Sequence, residues 1–413
     1  MVQSHSEKVP FFRPSITENE IAEVERCLRS GWLTTGPRTK QFEEEFAAAV
    51  QADYAIALNS CTAALHLAVE ALGLKEGQGV LVPTMTFAAT AEVVRYQGGI
   101  PILVDCDPRT LNINLQVLGK TLDDLRSGKL PVSKDIELVG IMPVHVGGFM
   151  VNMDEIKSFA TKHSLWVVED AAHALPAAYR TGPHDNWKRC GEGTADVTCY
   201  SFYANKTITT GEGGMAVTNS EVLEKRIRQM ALHGLSRDAW NRFQGGSWDY
   251  QIQAPGYKYN LTDIASSLGI HQLRQAENFQ KNRQRIAEYY DEHFSDSASF
   301  HNPPSQTDRM HSWHLYPIQL KTENLSVTRD VFLDELAERG IGTSVHWRPL
   351  HLHPYYKETF HWCETDFPHA TKAWERLISL PIFPSMTQNE MAQVVKIVES
   401  LGQKYHLRQN VLP

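Results

Sequence analysis

Three short segments hold side chains able to do more than pack. The first surrounds Lys206, in the run Tyr200-Ser201-Phe202-Tyr203-Ala204-Asn205-Lys206-Thr207-Ile208-Thr209-Thr210-Gly211-Glu212-Gly213-Gly214-Met215. This lysine is flanked by uncharged residues for several positions either way. An ammonium in such surroundings sheds its proton more readily and can act as an amine nucleophile. The plain alternative is a surface loop lysine, the commoner fate of that residue. The second segment is Glu169-Asp170-Ala171-Ala172-His173, where a carboxylate closes an apolar run. It is either a cofactor partner or a helix cap. The third, Asn59-Ser60-Cys61-Thr62-Ala63-Ala64, is small and hydroxyl-bearing and opens a helix. Free N–H groups and the helix dipole make that a seat for a phosphate, or Ser60 is simply an N-cap.

Read together, the three match the needs of pyridoxal 5'-phosphate. The amine joins its aldehyde. The carboxylate keeps the pyridine nitrogen protonated, so that the ring draws electrons. The helix end holds the phosphate. Other cofactor signatures are missing: the glycine cluster is not G-x-G-x-x-G after a first strand, and no G-x-x-x-x-G-K-[ST] occurs.

The elements that must position these groups show in the apolar periodicity. Thr17-Glu18-Asn19-Glu20 is a capping box ahead of a helix carrying Ile21, Val24, Cys27 and Leu28. A second amphipathic stretch covers 39–50. From residue 54 to 218, apolar runs alternate with helical stretches. The runs are 54–58, 80–82, 101–104, 138–144, 165–168, 197–201 and 215–218. The helices are 62–72, 86–97 and 153–163, the last with Asn152 as N-cap. Such βαβ alternation implies a mostly parallel sheet covered on both faces, with ligands at the carboxyl ends of its strands. A long helical pattern follows from Thr262 to about 294. A smaller α+β unit then holds strand-like 315–320, helix 329–339, strand-like 342–347 and helix 388–401. The stretches 121–135 and 181–193 read as surface loops.

Composition narrows the function classes. The chain has 413 residues, 42% apolar and 21% charged, enough for a full core. Its net charge of −8 argues against a nucleic-acid partner, although a local basic pocket for phosphate remains compatible. No apolar run approaches the roughly 18 residues of a membrane span, and the polar first residues lack a signal-peptide core. The six cysteines are scattered without a C-x-x-C pair, so they read as reduced thiols of a cytoplasmic protein.

The ordered set of motifs resembles the DegT/DnrJ/StrS family of pyridoxal-phosphate aminotransferases, which mostly act on nucleotide-linked keto-sugars. The resemblance rests on Trp32-Leu33-Thr34-Thr35-Gly36-Pro37, Ser60-Cys61-Thr62-Ala63-Ala64-Leu65 and Val82-Pro83-Thr84-Met85-Thr86-Phe87. It continues through Glu169 to Ala174, residues 201–206, Gly256-Tyr257-Lys258-Tyr259-Asn260-Leu261-Thr262-Asp263, and Gly342-Thr343-Ser344-Val345-His346. It implies a fold-type-I α/β enzyme: an N-terminal arm (1–30), a large domain with a mostly parallel seven-stranded sheet (31–280), and a smaller C-terminal α+β domain (281–413).

The resemblance also implies roles. Lys206 would bond the cofactor aldehyde and then act as the base that moves the substrate proton. Asp170 would pair with the pyridine nitrogen, with His173 beside it. Phe87 would stack on the ring, and Thr62, Ala63 and Ser201 would bind the phosphate. Lys258 or Asn260 would reach that phosphate from a partner subunit, so a homodimer with shared sites is implied. His346 and Trp248 would contact substrate. Many members carry Gln at the position of His173 and Gly at that of Cys61. A related branch of sugar dehydratases has His in place of the lysine, so Lys206 favours amino transfer. The expected reaction moves an amino group, from glutamate, to a ketone on a nucleotide-linked sugar. Dehydration, transfer to an inosose-type ketone, and cofactor binding without turnover are the alternatives.

The remaining histidines carry less. His351-x-His353 with Cys363 lacks the paired spacing of a zinc site, so no metal is expected. His314 reads as structural. The stretch 236–254, with Trp240, Arg242 and Trp248, is either a grip for a base or diphosphate or an ordinary dimer-contact loop.

Overall fold

The structure, a computed structural model, describes residues 8–235 and 251–407. Its centre is a sheet of seven strands: β1 (Tyr54–Leu58), β2 (Gly79–Pro83), β3 (Ile100–Val104), β4 (Leu138–Ile141), β5 (Trp166–Asp170), β6 (Val197–Ser201) and β7 (Gly214–Thr218). Their order is β1-β7-β6-β5-β4-β2-β3. β7 is antiparallel to both its neighbours, while every other pairing in this sheet is parallel.

That topology brings the three chemical segments to one edge. β1, β5 and β6 end there with Leu58, Asp170 and Ser201, and Gly214 opens β7 opposite both Leu58 and Ser201. Helices cover both faces, as near-continuous apolar strands require. On one face lie α3 (Cys61–Ala71) and α4 (Ala89–Tyr96), the former through Leu65, Leu67 and Val69. On the other lie α2 (Pro37–Val50), through Phe42 and Phe46, and the first half of the helix Asp263–Phe294, through Ile270 and Phe279. Beyond Phe279 that long helix changes partners. Ile286, Tyr290 and Phe294 pack instead with the small antiparallel sheet Phe300–His301, Tyr316–Leu320 and Leu377–Leu380 and with the helix Gln388–Tyr405.

Several expectations change. The strand expected over 138–144 stops at Ile141, because Pro143 has no N–H for the ladder; only a bridge from Val144 to Asp170 continues it. β5 runs further than expected and includes Glu169 and Asp170. The helix expected from 86 begins at Ala89, leaving Thr86 and Phe87 in the preceding turn. Part of the expected loop 121–135 is helical: Leu115–Arg126 carries Leu118, Leu122 and Leu125 inward, and Asn114 caps it by accepting from Gln116 and Val117. Lys188 and Arg189, inside the other expected loop, pair with Tyr179 and Ala178. The strand expected over 342–347 is irregular. Its only pairing with the small sheet is Ser344 with Ser379, since the N-terminal arm takes the Gly342 N–H through Val9 O at 2.8 Å.

Candidate active site

The loop carrying Lys206 is anchored at Phe202. This ring lies 5.3 Å from Phe42 and 5.5 Å from Phe46, each pair adding about 0.5–1.5 kcal/mol beyond burial. The Phe202 N–H donates to Gly213 O (2.9 Å) and its carbonyl accepts from Thr210 N (3.0 Å), closing a loop from which Lys206 projects. Beside it, Ser60 caps α3 by accepting from Ala63 N at 3.0 Å. Gly214 makes the close approach possible, since a Cβ there would sit 2.4 Å from the Ser60 carbonyl carbon and 2.5 Å from Cys61 N. The first-turn N–H groups of α3 thus lie against the start of β7, with the dipole favouring an anion.

These elements enclose a cavity of about 440 Å³. Thr62, Phe87, Asp170, His173, Ser201, Lys206 and His346 all line it. Ala63 is not in the lining, and its N–H is held by the Ser60 cap. Lys258 and Asn260 are also outside the lining, bonded to each other (Nζ to Oδ1, 2.6 Å), with Asn260 Nδ2 donating to Thr35 Oγ1 at 2.7 Å. Trp248 lies outside the described residues, as do Trp240 and Arg242.

No hydrogen bond or ion pair among the described residues holds the Lys206 amine. Burial pulls its pKa down to about 8, with Cys61 and Asp170 opposing the fall. Without cofactor, the neutral fraction of this amine should rise about tenfold per pH unit below 8 and level off above it. The rate at which the cofactor-free protein captures pyridoxal phosphate, followed by stopped-flow absorbance, should have that profile; a rate still climbing steeply at pH 10 would contradict it. Linkage has a definite sign here. An unfolded lysine titrates near 10.4. Between about pH 8 and 10.4 the unfolded chain therefore binds more protons, and this group's contribution to stability becomes more favourable as pH rises.

Asp170 is buried under the same cavity. Burial pushes its carboxyl pKa up, against hydrogen bonds from Thr90 and Ala172 and the charge of Lys206. Thr90 Oγ1 donates to Oδ2 at 2.7 Å, and Ala172 N donates to Oδ1 at 3.1 Å. Thr86 and Thr90 share a 2.7 Å hydrogen bond, so a hydroxyl pair leads from the cavity wall to the carboxylate. Removing one donor from a buried acceptor costs about 1–3 kcal/mol. Thr90→Val is expected to raise the Asp170 pKa further and to lower turnover about tenfold, whereas Thr90→Ser stays within about threefold. Turnover of both variants across pH checks this; equal losses would assign the effect to shape rather than to the hydroxyl.

The histidines of the site are neutral near pH 7. Burial holds His173 well below the ordinary range and His346 down to about 4. His173 Nδ1 accepts from Gly147 N (3.3 Å), and its ring stacks on Trp347 with centroids 5.0 Å apart. His346 Nδ1 lies 2.9 Å from Ser379 Oγ, with Phe11 of the N-terminal arm stacked on the ring. His314 is buried behind His173, at 4.2 Å between centroids.

Thr86, Thr90, Tyr203, Asn205, Glu212 and Trp347 were not singled out from the sequence. Both ring nitrogens of His351 are already engaged inside the fold, 2.8 Å from Thr84 Oγ1 and 2.9 Å from Thr371 Oγ1. A different buried group, His145, Glu169 and Cys190, brings potential metal ligands together. There Glu169 already accepts from Thr194 and Thr198, each at 2.6 Å, and lies 2.7 Å from His145 Nε2, so its oxygens are used.

Comparison with known proteins places this arrangement. Residues 14–399 match the model of the DegT/DnrJ/EryC1/StrS aminotransferase family. The spore coat polysaccharide biosynthesis protein SpsC of Bacillus subtilis is 40% identical over 403 residues, 97% of this chain and 99% of that protein. Spr1654 of Streptococcus pneumoniae in its PLP form superposes with a TM-score of 0.83 at 30% identity, covering 96% of this chain and 99% of that one. The sugar aminotransferase CalS13 of Micromonospora echinospora superposes with a TM-score of 0.79 at 26% identity, covering 95% and 99%. The residues present fit pyridoxal phosphate at each of its functional ends. Among the described residues they offer an amine without a partner, a buried carboxylate whose charge lacks a cation in direct contact, and a helix N-terminus approached closely through a glycine. The chain belongs to the DegT/DnrJ/EryC1/StrS aminotransferase family and is a pyridoxal-phosphate-dependent aminotransferase.

Proposed function

We propose that this enzyme transfers an amino group from glutamate to a ketone on a nucleotide-linked sugar, in the cytoplasm, as a step toward a polysaccharide, glycan or antibiotic sugar. The observation that carries the reading is the pairing, in one cavity, of the Lys206 amine, unpartnered among the described residues, with the buried Asp170 carboxylate. The names of SpsC and CalS13 support the sugar class.

Bound pyridoxal phosphate supplies an aldehyde for amines and a ring that stores an electron pair. The protein's residues supply the rest. Lys206 Nζ would hold the cofactor, be released by the incoming amine, and then take the proton from the donor's α carbon. Asp170, kept in place by Thr90 and Ala172, would hold the proton on the pyridine nitrogen. Phe87 and His173 would bracket the ring. Thr62, Ser201 and the first turn of α3 would bind the phosphate, with Ala63 contributing through the helix end. His346 and Trp248 would face the sugar nucleotide. We take residues 31–280 as the cofactor-holding domain and 281–413 as the smaller one.

A homodimer with shared sites belongs to the same proposal. Among the described lining residues the only cation is Lys206, so the anionic groups of cofactor and substrate need further positive charge. Lys258 would bring this charge from a partner subunit, or Asn260 beside it would bring a neutral N–H donor to the phosphate. Hybrid dimers test it. Lys206→Ala and a Lys258→Ala/Asn260→Ala double variant should each be inactive or weak alone. Mixed and re-equilibrated, they should recover about one quarter of the native activity, because half the dimers carry one intact site of two. No recovery would place those residues outside the partner's site.

The reaction itself is tested with ¹⁵N-glutamate and a panel of nucleotide-linked keto-sugars. Label appearing in an amino sugar is the expected result. Loss of water from the sugar without glutamate, or transfer only to a ketone that carries no nucleotide, would replace the proposed acceptor chemistry.

A further inference from the structure

Behind Lys206, on the side away from the open cavity, lies a second and much smaller hollow of about 10 Å³. Four segments distant in sequence enclose it: the N-terminal arm at Arg13 and Ser15, the reactive loop at Asn205 and Lys206, the long helix at Arg283, and Pro384. Asn205 and Lys206 line both spaces, so they form the partition between them.

Three of the residues lining the hollow carry unspent polar atoms. Ser15 Oγ, Asn205 Oδ1 and Arg283 Nε are all buried and have no hydrogen-bond partner among the described residues. Buried side-chain polar atoms are nearly always paired, and each one left unpaired costs about 1–3 kcal/mol. Arg283 is the most demanding of the three. It is only 3% exposed, and its Nη1 donates to the carbonyls of Ile382 (2.7 Å), Trp313 (3.2 Å) and His314 (3.5 Å). No carboxylate pairs with it among the described residues. Gln272 closes another side, donating to Ser15 O at 2.7 Å and accepting from Thr209 N at 3.3 Å. The arm and the loop are therefore already held at this separation.

Size and chemistry select the occupant. A water needs about 10–15 Å³ of such space and two to four polar partners. A carboxylate or phosphate is too large. A halide would meet the Asn205 oxygen, an acceptor, where a water can donate. We propose that a single internal water accepts from Arg283 Nε, donates to Asn205 Oδ1 and bonds Ser15 Oγ, and thereby fixes the loop that presents Lys206. The proposal rests on Lys206 as the reactive amine for its consequence, though not for the water site itself. Arg283, Ser15 and the water act as positioning groups: they touch no substrate but hold the residue next to the reactive one.

Two experiments test it separately from the assignment of Lys206. A crystal structure of the native holoenzyme, soaked in bromide and refined at high resolution, should show one water within about 3.2 Å of all three atoms and no anomalous peak there. A dry hollow with the Asn205 amide turned directly onto Arg283, or a bromide peak, would overturn the water site. The second experiment removes a ligand of the water without touching the open cavity. Ser15→Ala should lower kcat about three- to tenfold at unchanged KM for the amino donor and shift the pH midpoint of cofactor capture, and Ser15→Thr should restore both. Native kcat and an unmoved midpoint in Ser15→Ala would overturn the positioning role.

Discussion

Lys206→Ala should fold, bind pyridoxal phosphate weakly, and lose amino transfer by about 10³-fold or more. The magnitude follows from removing two functions at once. In the proposed reaction the amine would hold the cofactor covalently and later serve as the base, a role worth about 10²–10⁴-fold by itself. Lys206→Arg should be nearly as inactive, because a guanidinium stays charged and cannot join an aldehyde. Burial moves the native amine toward its neutral form, with its pKa drawn to about 8. Single-turnover transfer from labelled glutamate checks both variants. More than a few per cent of native activity in Lys206→Ala would end the role assigned to that residue.

Asp170→Ala is expected to lower turnover by about 10²–10³-fold while leaving the fold intact. A carboxylate placed against the pyridine nitrogen stabilises charge that develops during reaction, and an oriented group of that kind contributes several kcal/mol in a water-poor site. Its cost is visible in the structure, since burial pushes the Asp170 pKa up and the hydrogen bonds from Thr90 and Ala172 only partly offset this. The ordering of variants discriminates between charge and shape. Asp170→Asn keeps the size and loses the charge, so it should resemble Asp170→Ala in turnover. Substantial activity in Asp170→Asn would mean that the ring does not depend on a charged partner here.

Local rules carried the parts of the fold that short segments determine alone. Thr17 caps its helix with the reciprocal Glu20 bond, Thr262 caps the long helix, and 54–58 and 197–201 are strands over those very residues. The reactive lysine was legible because its neighbours are uncharged, and the strand-end carboxylate because apolar residues precede it. What was missed depends on partners far along the chain. Thr90 reaches Asp170 across 80 positions, and nothing near Thr90 announces it. The hollow behind Lys206 joins residues 15, 205 and 283. The irregular 342–347 segment alternates like a strand, but the N-terminal arm takes its first N–H. The helix Leu115–Arg126 was hidden by the acidic pair Asp123 and Asp124 beside its apolar stripe.

The central claim is that Lys206 and Asp170 equip one cavity for reversible amino transfer. The most direct measurement is the visible spectrum of the purified protein with pyridoxal phosphate, before and after glutamate is added. A yellow band of lysine-bound cofactor, absent in Lys206→Ala and converted by glutamate to the pyridoxamine form with one equivalent of keto acid released, is the predicted result. A folded protein that develops no such band, or whose band is the same in Lys206→Ala, would contradict the claim.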